Sequence, residues 1–140
     1  MLMAGSTAFS EDLGKLILRL TVGGLLLFHG ISKLLHGVSW MAGALAAFHL
    51  PAFISYGVYV GEVVAPLLII IGVYTRLAGI VVSFDLFMAI LLVSHSRMFV
   101  VGPSGGWGLE LEAFYLLTGV CIFLLGAGNY SLGGAKGKWN

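Results

Sequence analysis

Three cationic or imidazole side chains share one face of an apolar segment near the start of the sequence. Residues 16–37 read LILRLTVGGLLLFHGISKLLHG, with Arg19, His29 and Lys33 among leucines, valines and glycines. In an α-helix of 3.6 residues per turn, these three side chains lie within about 80° of one another. A charge that faces lipid near the centre of a bilayer costs about 2.5–3.5 kcal/mol. We therefore expect this face to point into the protein interior.

Carboxylates in the later apolar segments could pair with these cations. Glu62 and Asp85 each lie near the middle of such a segment, and Glu110 and Glu112 open the last one. The last two point about 200° apart on a helix, so only one of them can face the same interior. An ionisable residue inside a membrane is a functional candidate by default. The candidate buried site consists of Arg19, His29, Lys33, Glu62, Asp85 and Glu110.

Each of these residues also has a structural interpretation. Arg19 and Lys33 lie within about three turns of a segment end and could extend to lipid headgroups, which would only set the depth of the helix. His29 could be a hydrogen-bonding residue between helices. Glu62 and Asp85 lie too deep to reach water easily, so each needs a polar contact with another helix, for packing or for function.

A proline, the absence of metal-ligand spacing and a single cysteine limit the kinds of site that this sequence can form. Pro66, one turn after Glu62, removes the hydrogen-bond donor to the Glu62 carbonyl, which predicts a kink and a polar niche there. No metal-ligand spacing is present. The one cysteine, Cys121, excludes an intrachain disulfide, and we expect it to be a buried small apolar residue.

The composition predicts an integral membrane protein. Of its 140 residues, 59% are hydrophobic and 9% are charged, whereas soluble domains carry about 25% charged residues. A formal net charge of +1 gives no indication of nucleic-acid binding. Four segments approach the ~20 residues of a membrane helix, and their long apolar runs argue against a β-barrel. The predicted spans are 13–36, 53–74, 77–96 and 109–125.

These spans predict a single all-α domain, residues 1–140, that forms an antiparallel bundle of four transmembrane helices. An even number of spans places both termini on the same side of the membrane, together with Lys15, Arg76, Lys136 and Lys138. The positive-inside rule then favours cytoplasmic termini. Residues 37–51 are expected to hold a short interfacial helix, and the Gly-rich tail is expected to fray.

Three stretches resemble the DoxX family of small bacterial membrane proteins. They read RLTVGGLLLFHGISKLL, VGEVVAPLLIIIGVYTRLAG and LELEAFYLLTGVCIFLLGAGNYSL, and they follow the family order over nearly the whole chain. The tail departs from the family pattern at Asn129 and Gly133, and Asp85 lies outside that pattern. The positions that match the pattern are Arg19, His29, Gly30, Lys33, Glu62, Gly72, Thr75, Arg76 and Glu110.

The resemblance implies four spans in the bacterial inner membrane, but it implies no single activity. Some relatives are small membrane subunits linked to thiosulfate:quinone oxidoreductase, and others are linked to oxidative-stress assemblies with soluble redox partners. We therefore favour a membrane subunit of a redox complex that has no cofactor of its own and receives a quinone headgroup. Glu62 and His29 would then exchange protons, while Arg19 or Lys33 would stabilise the anionic form.

Two other functions remain open from the sequence. The chain could be a scaffold whose buried charges only specify helix packing. It could also bind or transport a small molecule, which would require a homo-oligomer because four helices leave little room for an alternating-access path.

Overall fold

The computed structural model describes residues 2–140, with side chains from residue 7 onward, and this part of the chain contains helices and no β-strand. The α-helices are α1 (Leu2–His36), α2 (Ala42–Ala47), α3 (Ala65–Ile71), α4 (Thr75–Ala89) and α5 (Glu110–Leu125). Short 3-10 helices cover Ser39–Met41, Ala52–Gly57 and His95–Arg97. Two segments, Val60–Val64 and Ile90–Ser94, are π-helical.

Three helical stretches within the described residues are long and apolar enough to cross a membrane: Thr7–His36, Ala52–Ile71 and Thr75–Arg97. They correspond to the first three predicted spans. The fourth predicted span, 109–125, corresponds to α5, whose 16 residues fall short of the ~20 that cross the hydrocarbon core. The all-helical membrane class is thus confirmed, with three candidate spans.

The core lies where α1, α3, α4 and α5 meet. Val22 of α1, Ile69 of α3, Val82 of α4 and Ile122 of α5 are each at most 1% exposed and belong to one apolar cluster. Large apolar side chains also cover the outer surface, as expected where helices face lipid. Cys121 lies on this outer surface, so its predicted burial was wrong.

Glycine allows the backbones of α4 and α5 to approach closely. A Cβ atom at Gly79 would lie 2.7 Å from the Gly119 carbonyl oxygen and 2.9 Å from the Phe123 backbone nitrogen. Ser83 adds a polar contact, because its hydroxyl donates to the carbonyl of Leu116 at 2.9 Å. Small residues at a helix contact permit this geometry in membranes, where packing drives helix association.

Replacement of Gly79 by alanine should therefore separate α4 from α5. We expect a loss of about 1–3 kcal/mol, typical of an overpacked contact, and a lower apparent melting temperature in detergent. Gly24→Ala on α1 is the matched control, since no atom beyond the neighbouring backbone of its own helix lies within 4 Å of its Cβ position and alanine favours a helix over glycine. Equal melting of both variants would contradict the close packing of α4 on α5.

The tail is docked against the α3–α4 turn, so the expected fraying was wrong. The Asn140 side chain is buried and donates to the Gly72 carbonyl at 2.9 Å. It also accepts from the Thr75 backbone N–H at 3.1 Å and from the Thr75 hydroxyl at 2.9 Å. Arg76 Nε donates to the Asn140 backbone oxygen at 2.9 Å. These specific contacts outweigh the flexibility that the glycine content suggested.

Candidate functional site

A cavity of about 580 Å³ lies between the C-terminal part of α1, the second half of α4, the two π-helical segments and the start of α5. Trp40, Met41 and Leu45 line it from residues 37–51, which form short helices as predicted. Most of the lining is apolar. The charged side chains in its wall are Lys33, Glu62, Asp85, Arg97 and Glu112. An apolar cavity with a few convergent polar groups is typical of a small-molecule site.

The first polar contact in the cavity is an ion pair between α1 and the π-helical segment Val60–Val64. Lys33 Nζ donates to Glu62 Oε1 at 2.5 Å, and the two side chains are 20% and 6% exposed. The other carboxylate oxygen, Glu62 Oε2, is buried and has no hydrogen-bond partner among the described residues. The predicted pairing of a cation on α1 with a carboxylate is thus confirmed for Lys33 and Glu62.

The backbone around Glu62 is irregular, as the proline predicts. Pro66 cannot donate to the Glu62 carbonyl, and the five residues Val60–Val64 form a π-helical turn. On α1, Gly30 faces this carbonyl so closely that a Cβ atom there would overlap the Glu62 oxygen. Such π-helical turns occur frequently at functional sites. Here the turn and the close approach of α1 hold the Glu62 side chain at the Lys33 ammonium.

Asp85 places a second carboxyl group beside Glu62. Gly61 precedes Glu62 in the chain, and a Cβ atom at Gly61 would overlap the Asp85 carboxyl carbon. Asp85 Oδ2 is buried without a hydrogen-bond partner in residues 7–140, and Asp85 makes no ion pair there. The cavity wall therefore holds two adjacent carboxyl groups, each with one unsatisfied buried oxygen.

A second polar cluster joins the π-helical segment Ile90–Ser94 to α5. Arg97 forms an ion pair with Glu112 and donates to Ser94 Oγ at 2.7 Å. The Ser94 hydroxyl donates to Glu112 Oε1 at 3.0 Å. The structure places Glu112, and not Glu110, in the cavity wall, and Glu110 is exposed. Helical geometry allowed only one of the two glutamates to face inward, and the residue that does so is Glu112 rather than the predicted Glu110.

His29 lines the cavity, but the residue is exposed, so its predicted burial was wrong, and the polar contact of its ring is not with Glu62. Its ring lies 5.9 Å from the Tyr115 ring in an edge-to-face arrangement. Its Nδ1 donates to the Leu25 carbonyl of its own helix at 3.2 Å. The ring is therefore oriented by α1 and α5.

Arg19 lies outside the cavity, and its predicted pairing with a carboxylate was wrong. Its side chain is 1% exposed, so it does not extend to headgroups either. It donates to four carbonyls: Ile69 at 2.8 Å, Ile70 at 2.9 Å, Ala127 at 2.7 Å and Tyr130 at 2.9 Å. The last carbonyls of a helix lack intrahelical donors and carry partial negative charge. Arg19 therefore joins the end of α3 to the chain after α5.

Comparisons with known proteins identify the family of this chain. A curated Bacillus subtilis (strain 168) protein named "Putative oxidoreductase CatD" is 27% identical over 118 residues, covering 84% of this chain and 83% of that protein. No solved structure gives a significant match. The DoxX family model matches residues 14–95, more than half of the 140 residues, and this stretch contains Lys33, Glu62 and Asp85. The chain therefore belongs to the DoxX family of membrane proteins.

Proposed function

We propose that this protein is the membrane subunit of an oxidoreductase complex and that its cavity binds a quinone headgroup. The observation that carries the proposal is the 580 Å³ cavity beside Glu62. A scaffold whose buried charges only specify packing does not require such a space, because tight pairing of the charges would suffice.

The cavity supplies both kinds of contact that a quinone needs. Its apolar wall, which includes Trp40 and Phe84, suits an aromatic ring and the first part of an isoprenoid tail. Lys33 lies in the same wall and retains donors beyond the one given to Glu62. These donors can reach a ring carbonyl, so the headgroup would be oriented with one oxygen at the Lys33–Glu62 pair.

The carboxyl groups provide a place to hold protons. Reduction of a quinone to a quinol takes up two electrons and two protons. Glu62 and Asp85 can exchange the protons, and His29 lies in the same cavity wall. The electrons would come from a soluble redox partner. The name of the Bacillus subtilis relative, an oxidoreductase, agrees with a redox role.

We further propose a four-span antiparallel topology in the bacterial inner membrane, with α5 as a short fourth span. The N-terminal part of α1, the α3–α4 turn and the tail meet at one end of the protein, which supports this arrangement. Asp12 Oδ1 accepts from the Asn129 backbone N–H at 3.1 Å, and Arg76 contacts Asn140. Lys15 and Arg76 lie at this end, so the positive-inside rule favours cytoplasmic termini.

The proposal is tested by native mass spectrometry and lipid extraction of the purified protein. We expect quinone to copurify with the wild type and to fall at least about tenfold in Glu62→Gln, since loss of a charged hydrogen-bonding group costs about 1.5–3 kcal/mol. Glu110→Gln, the same change at an exposed position outside the cavity, should retain it. If wild type and both variants carry only bulk phospholipid, the quinone proposal is wrong.

A further inference from the structure

The unsatisfied polar atoms of the cavity are all of one kind. Among the described residues, the buried side-chain oxygens or nitrogens without a hydrogen-bond partner are Glu62 Oε2 and Asp85 Oδ2. Glu62 is 5% exposed, so a partner for its Oε2 has to come from within the cavity. A carboxylate oxygen accepts hydrogen bonds and donates none. A hydrogen-bond partner for either of these two oxygens must therefore be a donor.

The pairing of charges in the cavity wall also indicates that a ligand should donate hydrogen bonds there. Lys33 is paired with Glu62, and Arg97 is paired with Glu112. In the described part of the chain Asp85 has no cation at ion-pair distance, although its carboxyl group packs against Gly61 beside Glu62. A buried charge is costly unless it is paired and hydrogen-bonded. A ligand that donates a hydrogen bond to Asp85 would offset this cost.

The two redox forms of a quinone differ in this property. An oxidised quinone presents two carbonyl oxygens, which only accept; one of them can take a free N–H of the Lys33 ammonium, but Glu62 Oε2 and Asp85 Oδ2 would then stay without a donor. A quinol presents two hydroxyl groups, which donate. Its ring and tail make the same apolar contacts with the wall as those of the oxidised form. Which of the two forms binds more tightly therefore depends on the part of the cavity wall that contains Lys33, Glu62 and Asp85.

We infer that the cavity selects the quinol over the quinone, with a ligand hydroxyl donating to the unpaired oxygen of Asp85, whose carboxyl group packs against Gly61 beside Glu62. This inference rests on the proposed quinone-binding function and specifies the redox form that the site holds. Asp85 is then a specificity-determining residue of the ligand site, a role that neither the composition nor the family resemblance assigns to it.

The test compares decylubiquinol, kept reduced, with decylubiquinone on the purified full-length chain in nanodiscs. We expect the quinol to bind at least about tenfold more tightly, since a hydrogen bond to a charged acceptor is worth about that factor. Equal affinity, or tighter binding of the quinone, would overturn the inference and leave the proposed function in place. Binding of neither form would overturn both. This wild-type comparison does not depend on any variant folding.

A variant pair tests the assignment to Asp85. Asp85→Asn keeps the size of the side chain and replaces an acceptor-only group with an amide that also donates. We expect it to lose most of the preference for decylubiquinol while still binding decylubiquinone. Glu110→Gln, with its change outside the cavity, should retain the wild-type ratio of the two affinities. An unchanged ratio in Asp85→Asn would contradict the role of this carboxylate.

Discussion

Arg19→Met should destabilise the protein by at least about 3 kcal/mol, the largest effect that we expect from a single substitution here. Methionine fills a similar apolar volume but donates no hydrogen bond, so the carbonyls of Ile69, Ile70, Ala127 and Tyr130 would lose the donor that Arg19 now provides. Each buried acceptor left without a partner costs about 1–3 kcal/mol. The apparent melting temperature in detergent should fall by roughly 10 °C.

Two further substitutions separate hydrogen bonding from charge at this position. Arg19→Lys keeps the charge but carries only three donors on one atom, so it should recover part of the stability and not all of it. Lys15→Met removes the same charge from the same helix. The donor to those four carbonyls is Arg19 and not Lys15, so this variant should have little effect on the melting temperature. If Arg19→Met melted like Lys15→Met, Arg19 would not be the link between α3 and the tail.

Lys33→Met should be the second most damaging of these substitutions, with a cost of about 3 kcal/mol. It would leave the Glu62 carboxyl group buried with neither of its oxygens paired, and breaking a buried ion pair from one side typically costs about 3–5 kcal/mol. We expect the lower end of that range because the Lys33 side chain is 20% exposed. The change in apparent melting temperature measures this cost.

The double variant Lys33→Met with Glu62→Gln provides the decisive comparison. Removal of both charges leaves no unpaired charge at position 62, so much of the lost stability should return, as buried ion pairs replaced together are often nearly neutral. The difference between the double variant and the sum of the single variants gives the coupling energy. Additive losses would mean that the two residues act independently, and Lys33 would then contribute mainly through its depth in the membrane.

Part of the candidate site was predictable from helical geometry. The separation of four residues between His29 and Lys33 placed both on one face, and both line the cavity. Pro66 indicated the irregular turn at Glu62, which is π-helical. The same geometry placed Arg19 on this face as well, yet Arg19 lies two and a half turns or more from His29 along α1 and meets different neighbours. A shared face does not imply a shared site when the helix is long.

The residues that sequence reasoning missed depend on contacts between distant segments. Arg97 was not among the predicted site residues and Glu112 was one of two glutamates that the sequence could not distinguish, but they pair in the cavity wall. A signal was present in the sequence: Arg97 ends the third candidate span close to where Glu110 and Glu112 begin the next apolar segment, so one of these glutamates could pair with it. The docking of Asn140 on Thr75 had no local signal at all.

The sequence alone determined the class of this protein, its first three candidate spans and the burial of Arg19 and Glu62. Composition and apolar length are sums over single residues, so they require no knowledge of which helices touch. Only the tertiary structure decided which charges meet, because pairing depends on helix rotation and on the close approaches that Gly30 and Gly61 permit. Those approaches place Lys33, Glu62 and Asp85 in one cavity wall and leave Arg19 to bind carbonyls elsewhere.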